Sequence, residues 1–276
     1  MRGHRISSPL RAGFRAAGFV LLTLPLMPVQ AVALAMNSTL ALRLPRAYHR
    51  LCCRLFGIEI QQHGVVSAAR PTLFVANHVS YLDITALSAV IETSFVAKRE
   101  VASWPFFSWL ARLQRTVFVE RRRTTVHGER DDLARHLAAG RNLVLFAEGT
   151  SGDSLHVKPF KSALLSVAEQ RVNDHALTIQ PVTIAYTRLD AMPLGRQWRP
   201  FVAWYGDMDM LGHMWRLLGL GRLTVVLSFH APVRLAEFAS RKALAQHCER
   251  QVSLGLAAAN SGRMPPREPV VAGGAP

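Results

Sequence analysis

From Ala16 to Leu42 the chain carries no charged side chain, with Arg2, Arg5, Arg11 and Arg15 before the run and Arg43, Arg46 and Arg50 after it. One bilayer crossing takes roughly 20 apolar residues, so the run has room for one span and not for two. So apolar a surface must come to rest against lipid or against a core. A basic start before an apolar run is also the pattern of a secretory signal, and Ala31-Val32-Ala33 offers small residues of the kind found at cleavage sites. Basic residues resist translocation, and here they stand at both ends. Pro25 and Pro28 fall mid-run, where each removes a helical hydrogen bond and invites a bend. The expectation is an anchor over residues 1–50 that turns back or lies in the interface, leaving both flanks cytoplasmic. A single span and a cleaved signal are the alternatives.

Basic residues dominate the rest of the charge: Lys plus Arg is 33 against 18 acids in 276 residues, a net +15. Such a balance suits polyanionic partners, whether nucleic acid, anionic lipid headgroups or an acidic carrier protein. No helix-turn-helix, zinc-finger or RNP signature accompanies it, and the basicity sits beside the apolar run, so nucleic acid is set aside. Half the residues are hydrophobic, which excludes overall disorder. Cys52, Cys53 and Cys248 are too few for a disulfide framework and lack metal-ligand spacing, and no metal or redox cofactor is expected.

Beyond Arg43 short β-branched and aromatic runs recur: Thr72 to Ala76, Ser94 to Ala97, Thr116 to Val119, Asn142 to Ala147, Thr178 to Ile184 and Leu223 to Phe229. Helical patterns lie between them, from Thr125 to Ala139 with Gly140 as C-cap, from Ser162 to Val172, and from Leu235 to about Leu256. Strand alternating with helix predicts an α/β domain over 51–259, a mixed, mostly parallel sheet flanked by helices. The Pro- and Gly-rich residues 260–276 read as a disordered tail.

Three short blocks can carry chemistry. In Asn77-His78-Val79-Ser80-Tyr81-Leu82-Asp83 the histidine follows the apolar run LFVA, and Ser80 is a candidate N-cap that would put Asp83 in the first turn of a helix. A histidine base needs one nitrogen free and the other hydrogen bonded, and a carboxylate five residues on can return to it. Glu148-Gly149-Thr150-Ser151-Gly152-Asp153 also follows a buried run, and such small and hydroxyl-rich loops offer N–H and O–H groups to an oxyanion or a headgroup. In Val117-Phe118-Val119-Glu120-Arg121 a strand closes on a guanidinium, a donor fork suited to phosphate. Read singly, each block fits a structural pair, a turn or a solvated charge run equally well.

Taken in order, Asn-His-X4-Asp, arginine after an apolar strand, Glu-Gly-Thr and then Pro181-Val182 resemble the glycerolipid acyltransferase family, over roughly Leu73 to Ile184. The resemblance implies an acyl chain moved from an acyl-carrier protein or coenzyme A thioester to a lysophospholipid hydroxyl, at an anionic membrane surface. It implies His78 as catalytic base, Asp83 as its partner, Arg121 as a phosphate contact, and Glu148, Gly149, Thr150 and Ser151 as acceptor-binding residues. Many members carry an arginine where this chain has Ser151. Lysophosphatidic acid is the expected acceptor and phosphatidic acid the product, at a bacterial inner membrane with the catalytic domain facing the cytoplasm. The alternative acceptor is a lyso-ornithine lipid, because Ser151-Gly152-Asp153 with Pro159-Phe160-Lys161 resembles a bacterial branch that uses it. No Gly-X-Ser-X-Gly elbow is present, since Gly149-Thr150-Ser151-Gly152 is followed by Asp153, which fits a route without a covalently acylated nucleophile; a lipase or esterase whose histidine activates water is the enzymatic rival.

Overall fold

The computed structural model describes residues 6–119, 133–169, 171–172 and 175–263. Its apolar start forms two helices. Helix α1 (Pro9–Ala35) opens on Ser8, whose side chain accepts the Arg11 N–H, with Pro9 in the first turn. Its 27 residues span about 40 Å at the usual rise. The chain reverses at Asn37, which adopts φ 48°, and returns as α2 (Leu40–Phe56). Gln30 bonds to the Ala41 carbonyl, Thr23 to Tyr48, and Phe19 meets Phe56, so the two helices run antiparallel. Gly57 ends α2 at φ 74°, a left-handed cap that glycine adopts without strain.

Pro25 and Pro28 do not break α1. The carbonyls they leave without a helical donor belong to Leu21 and Leu24, which are 75% and 54% exposed and lie outside the packed interior. The bend expected at the prolines falls instead at residues 36–39. Helix α1 is also docked along its length. The Ser8 N–H donates to the Gly219 carbonyl, Arg15 to the carbonyls of Leu218 and Leu220, and Gln30 to that of Leu113.

The strands are β1 (Ile58–His63), β2 (Thr72–Ala76), β3 (Ser94–Lys98), β4 (Val117–Val119) and β5 (Leu143–Phe146). They continue with a short hairpin, β6 (Arg171–Val172) and β7 (His175–Ala176), then β8 (Thr178–Leu189) and β9 (Met192–Pro193). The last two are β10 (Leu223–Phe229) and β11 (Val233–Arg234). The main sheet runs β1-β10-β8-β2-β5-β3-β4, with β9 and β11 also on β8. Among the described residues of this sheet, the antiparallel pairings are those of β8 with β9, β10 and β11; its first half lies parallel to β2. Around the sheet stand α3 (Leu82–Val90), α4 (Phe107–Leu113), a helical segment α5 at 133–138, α6 (Arg199–Val202), α7 (Met210–Leu218) and α8 (Arg241–Asn260).

Every residue of β2 is buried. Phe74 and Ala76 face one core, shared with Leu87, Val144 and Ile184, while Leu73 and Val75 face a second with Leu143, Ile179 and Leu244. Period-two alternation in a strand covered on both faces explains its unbroken apolar run. Two helical expectations are corrected. Residues 164–169 form a 3-10 turn and β6 begins at Arg171, so the pattern from Ser162 to Val172 is not one helix. Leu235–Glu237 is a separate 3-10 turn, and α8 starts afresh after Ser240, whose hydroxyl accepts the Ala243 N–H. The Gly140 cap is present at φ 68°; residues 125–132 and 264–276 lie outside the described residues.

Candidate active site

Strand β2 delivers its chemistry at its C-terminal end. Asn77 is the clamp. Its side-chain amide donates to the Ile184 carbonyl at 2.9 Å and its Oδ1 accepts the Ile184 N–H at 2.8 Å, extending the pairing with β8 by one side chain. The chain then turns through His78, Val79 and Ser80. Helix α3 opens one residue later than Ser80 would cap, with Tyr81 in the cap position and no side-chain cap. What ties this turn is Asp83. Its Oδ2 accepts from the Val79 N–H at 2.7 Å, the Ser80 N–H at 3.0 Å and His78 Nδ1 at 2.8 Å. Its Oδ1 accepts the Tyr186 hydroxyl at 2.7 Å. A carboxylate with no exposed surface is tolerable because both oxygens are satisfied.

That arrangement sets the histidine tautomer. A carboxylate only accepts, so Nδ1 of His78 carries the proton and Nε2 keeps its lone pair. Among the described residues Nε2 has no hydrogen-bond partner, and the side chain remains 19% exposed. The ring lies flat against Phe146, centroids 4.0 Å apart and planes 15° apart. Phe146 is the last residue of β5, so the two neighbouring strands aim their C-terminal ends at one place.

The Glu148 loop continues from there. Its Oε1 accepts the His78 backbone N–H at 3.1 Å, and the Gly152 N–H donates to the His78 carbonyl at 2.8 Å. Gly149 sits at φ 67°, beside Lys161 and Leu164, which explains glycine at the centre of Glu-Gly-Thr. Thr150 lies half-buried on the same loop. Ser151 is buried, and its carbonyl accepts from the Lys158 ammonium at 2.8 Å, so the position where many members of the family it resembles carry arginine is already packed. Arg121 lies outside the described residues. His78, Asp83, Glu148, Gly149, Thr150 and Ser151 are thus brought together.

Burial pushes the Glu148 carboxyl up to about 7, against the pull of the His78 and Lys158 N–H groups and the Lys158 charge; Asp83 adds to the rise. Among the described residues its buried Oε2 has no hydrogen-bond partner. Below the ordinary value of 4.5 this group is neutral folded or unfolded. Between there and about 7 only the unfolded chain ionises, so stability falls with rising pH, by up to about 3 kcal/mol. Glu148→Gln keeps an acceptor for the His78 N–H and should lack this loss. Urea titrations at pH 4.5 and 8 should show the wild type losing ground to the variant; parallel curves would contradict it.

Beside the histidine lies an apolar cavity of about 600 Å3, walled by α1, α2, α4 and the start of α3, with Tyr81, Leu82 and Phe95 on its near side. Phe95 stacks on Phe146 at 6.0 Å, so one aromatic ring separates the cavity wall from His78. Tyr186 and the cavity were not legible from the blocks themselves. A tyrosine inside the buried run TIAY was the one clue, because a buried phenol must find a partner.

A model of the Acyltransferase family matches residues 57–185. The lyso-ornithine lipid O-acyltransferase of Brucella abortus is 43% identical over 90% of this chain and 94% of its own. The lyso-ornithine lipid O-acyltransferase of Rhizobium meliloti is 42% identical over 81% and 78%. Among solved structures, the 1-acyl-sn-glycerophosphate acyltransferase PlsC of Thermotoga maritima shares the fold, with a TM-score of 0.65 at 22% identity over 90% of this chain and 93% of that one.

Proposed function

The chain belongs to the acyltransferase family, and from that premise we propose that it acylates the free 3-hydroxyl of a lyso-ornithine lipid, drawing the acyl group from an acyl-carrier protein or coenzyme A thioester. The observation that carries this choice of acceptor is the likeness to the Brucella enzyme along nearly its whole length. Ser151 supports it, since an acceptor without phosphate has no use for the missing arginine there. Lysophosphatidic acid, the acceptor expected from the motif order, has its case in Arg121.

The chemistry follows from the free Nε2. The lysolipid oxygen attacks the thioester carbonyl while His78 Nε2 takes its proton. The imidazolium so formed faces the Asp83 carboxylate through Nδ1–H, the geometry that stabilises it. Collapse of the tetrahedral intermediate expels the thiolate, which recovers the proton from His78 and leaves as thiol. The ester remains on the lipid. The acyl chain has a place of suitable size in the 600 Å3 apolar cavity. Purified full-length protein, given labelled acyl thioester and lyso-ornithine lipid, should form the two-chain aminolipid, and should release little free fatty acid when the acceptor is left out. Rapid release of fatty acid would instead mean a thioesterase or lipase.

Tyr186 acts through Asp83 as a positioning residue. Burial and then the Asp83 charge raise its pKa well above the ordinary value, so it stays a donor. Tyr186→Phe removes a hydrogen bond to a charged group, worth about 1.5–3 kcal/mol. Turnover should fall by roughly tenfold with the KM values little changed. Lower thermal stability with unchanged turnover per folded enzyme would assign a structural role only.

The docked α1 supports an enzyme lying on the membrane. Its exposed side carries Leu10, Phe14, Leu21 and Val32, at 88%, 76%, 75% and 57% exposure, an in-plane apolar face. Cysteines placed at Ser7 and Ala68 should then react with impermeant reagent from the same, cytoplasmic side. Labelling of Ser7→Cys alone from outside intact spheroplasts would put a span between them.

A further inference from the structure

Four arginines from four stretches of chain converge at the end of the sheet opposite His78. Arg70 precedes β2, Arg115 precedes β4, Arg141 precedes β5, and Arg46 reaches down from α2; with the turn between α1 and α2 they wall a pocket of about 280 Å3. Among the described residues its one acidic side chain is Glu92, already held by Arg70 at 3.1 Å. No described carboxylate lies within ion-pair distance of Arg46, Arg115 or Arg141. Among the described residues the buried Nε of Arg46 has no partner. Arg46, Arg115 and Arg141 are half-buried, Arg70 is exposed, and like charges meet here: burial and then Arg141 lower the Arg115 pKa. Nearby His136 is pushed down to about 4 by burial, then by Arg141 and Arg115. Crowding like charges out of water costs folding free energy, and an anion bound there would offset it.

The place of the pocket says how that anion arrives. Its roof is the tip of the helical hairpin, where Met36, Leu40 and Leu42 are 73%, 44% and 42% exposed. These residues add exposed apolar surface beyond the C-terminal end of α1. An anion in this pocket therefore sits at the depth of headgroups when the hairpin meets lipid, and the guanidinium fork matches phosphate oxygens. We propose that this pocket binds the phosphate of an anionic membrane phospholipid, as a docking site separate from the acceptor site at the other end of the sheet. It is independent of which lysolipid is acylated.

The test uses purified full-length protein and sedimentation with vesicles of phosphatidylcholine alone or mixed with phosphatidylglycerol. Arg115→Gln/Arg141→Gln should lose most of the preference for the anionic vesicles, with a factor of about five expected for each arginine near such a surface. Binding to phosphatidylcholine should not change. The exposed pair Arg188→Gln/Arg196→Gln removes the same charge away from the pocket and should cost much less of the preference. Equal losses in the two double variants would mean general charge attraction and overturn the proposal. As a reading that needs no variant, short-chain phosphatidylglycerol should raise the wild-type melting temperature more than short-chain phosphatidylcholine or inorganic phosphate does. Stabilisation by inorganic phosphate alone would point to a soluble anion and overturn it. So would intact vesicle preference in the pocket variant with a raised KM for acyl-carrier protein, which would make the pocket a donor-docking site.

Discussion

Replacing His78 by alanine should lower turnover by about 10²- to 10⁴-fold, the range that a positioned general base supplies. The loss should fall on kcat, because in the proposed mechanism Nε2 takes the hydroxyl proton as the thioester is attacked. The fold should survive. Asp83 keeps three of its four donors, the Val79 and Ser80 N–H groups and the Tyr186 hydroxyl, so the carboxylate does not become a buried unpaired charge. Circular dichroism and thermal unfolding should therefore resemble the wild type, and lipid KM should move little. A well-folded His78→Ala protein that retains most of its turnover would remove the histidine from the mechanism.

Asp83→Asn should be nearly as damaging, with a drop in kcat on the order of 10²- to 10⁴-fold. The amide oxygen can stand where Oδ2 now receives His78, Val79 and Ser80. The amide NH2 then faces the Tyr186 oxygen, and a hydroxyl can reverse from donor to acceptor. The hydrogen bonds persist and the negative charge facing the imidazolium is gone. Turnover should thus fall while the melting temperature drops only modestly. Asp83→Ala is the contrasting case, leaving two backbone N–H groups, an imidazole and a phenol without their acceptor, and it should unfold far more readily. Equal instability in Asn and Ala variants, or full turnover in the Asn variant, would show that the charge has no catalytic part.

The two loops of the site were legible because each follows a buried strand, and their motifs lie within a few residues. His78 and Asp83 work on one another over five positions, and Gly149 announces its own left-handed turn. Tyr186 acts on Asp83 from 103 residues away, a partnership created only when β8 lies down beside β2. The arginine pocket was hidden for the same reason, since Arg46, Arg70, Arg115 and Arg141 share no spacing and meet only at strand starts. In the apolar run, length and composition were informative and the proline rule was not. Pro25 and Pro28 face away from the packed interior, and the reversal falls where Asn37 can take a positive φ. The helix read from Ser162 to Val172 failed because its apolar residues, Leu165, Val167 and Ala168, bury against α8 from a tighter turn.

Direct competition between the two acceptors decides which lipid is acylated. Lyso-ornithine lipid and lysophosphatidic acid should be offered together in one mixed micelle to purified full-length enzyme, with a limiting labelled acyl thioester. The ratio of labelled products then reports the ratio of kcat/KM directly. Acylated aminolipid should dominate by about tenfold or more, and His78→Ala should lower both products by about 10²-fold or more. Phosphatidic acid as the dominant product would contradict the proposed acceptor while leaving the base in place.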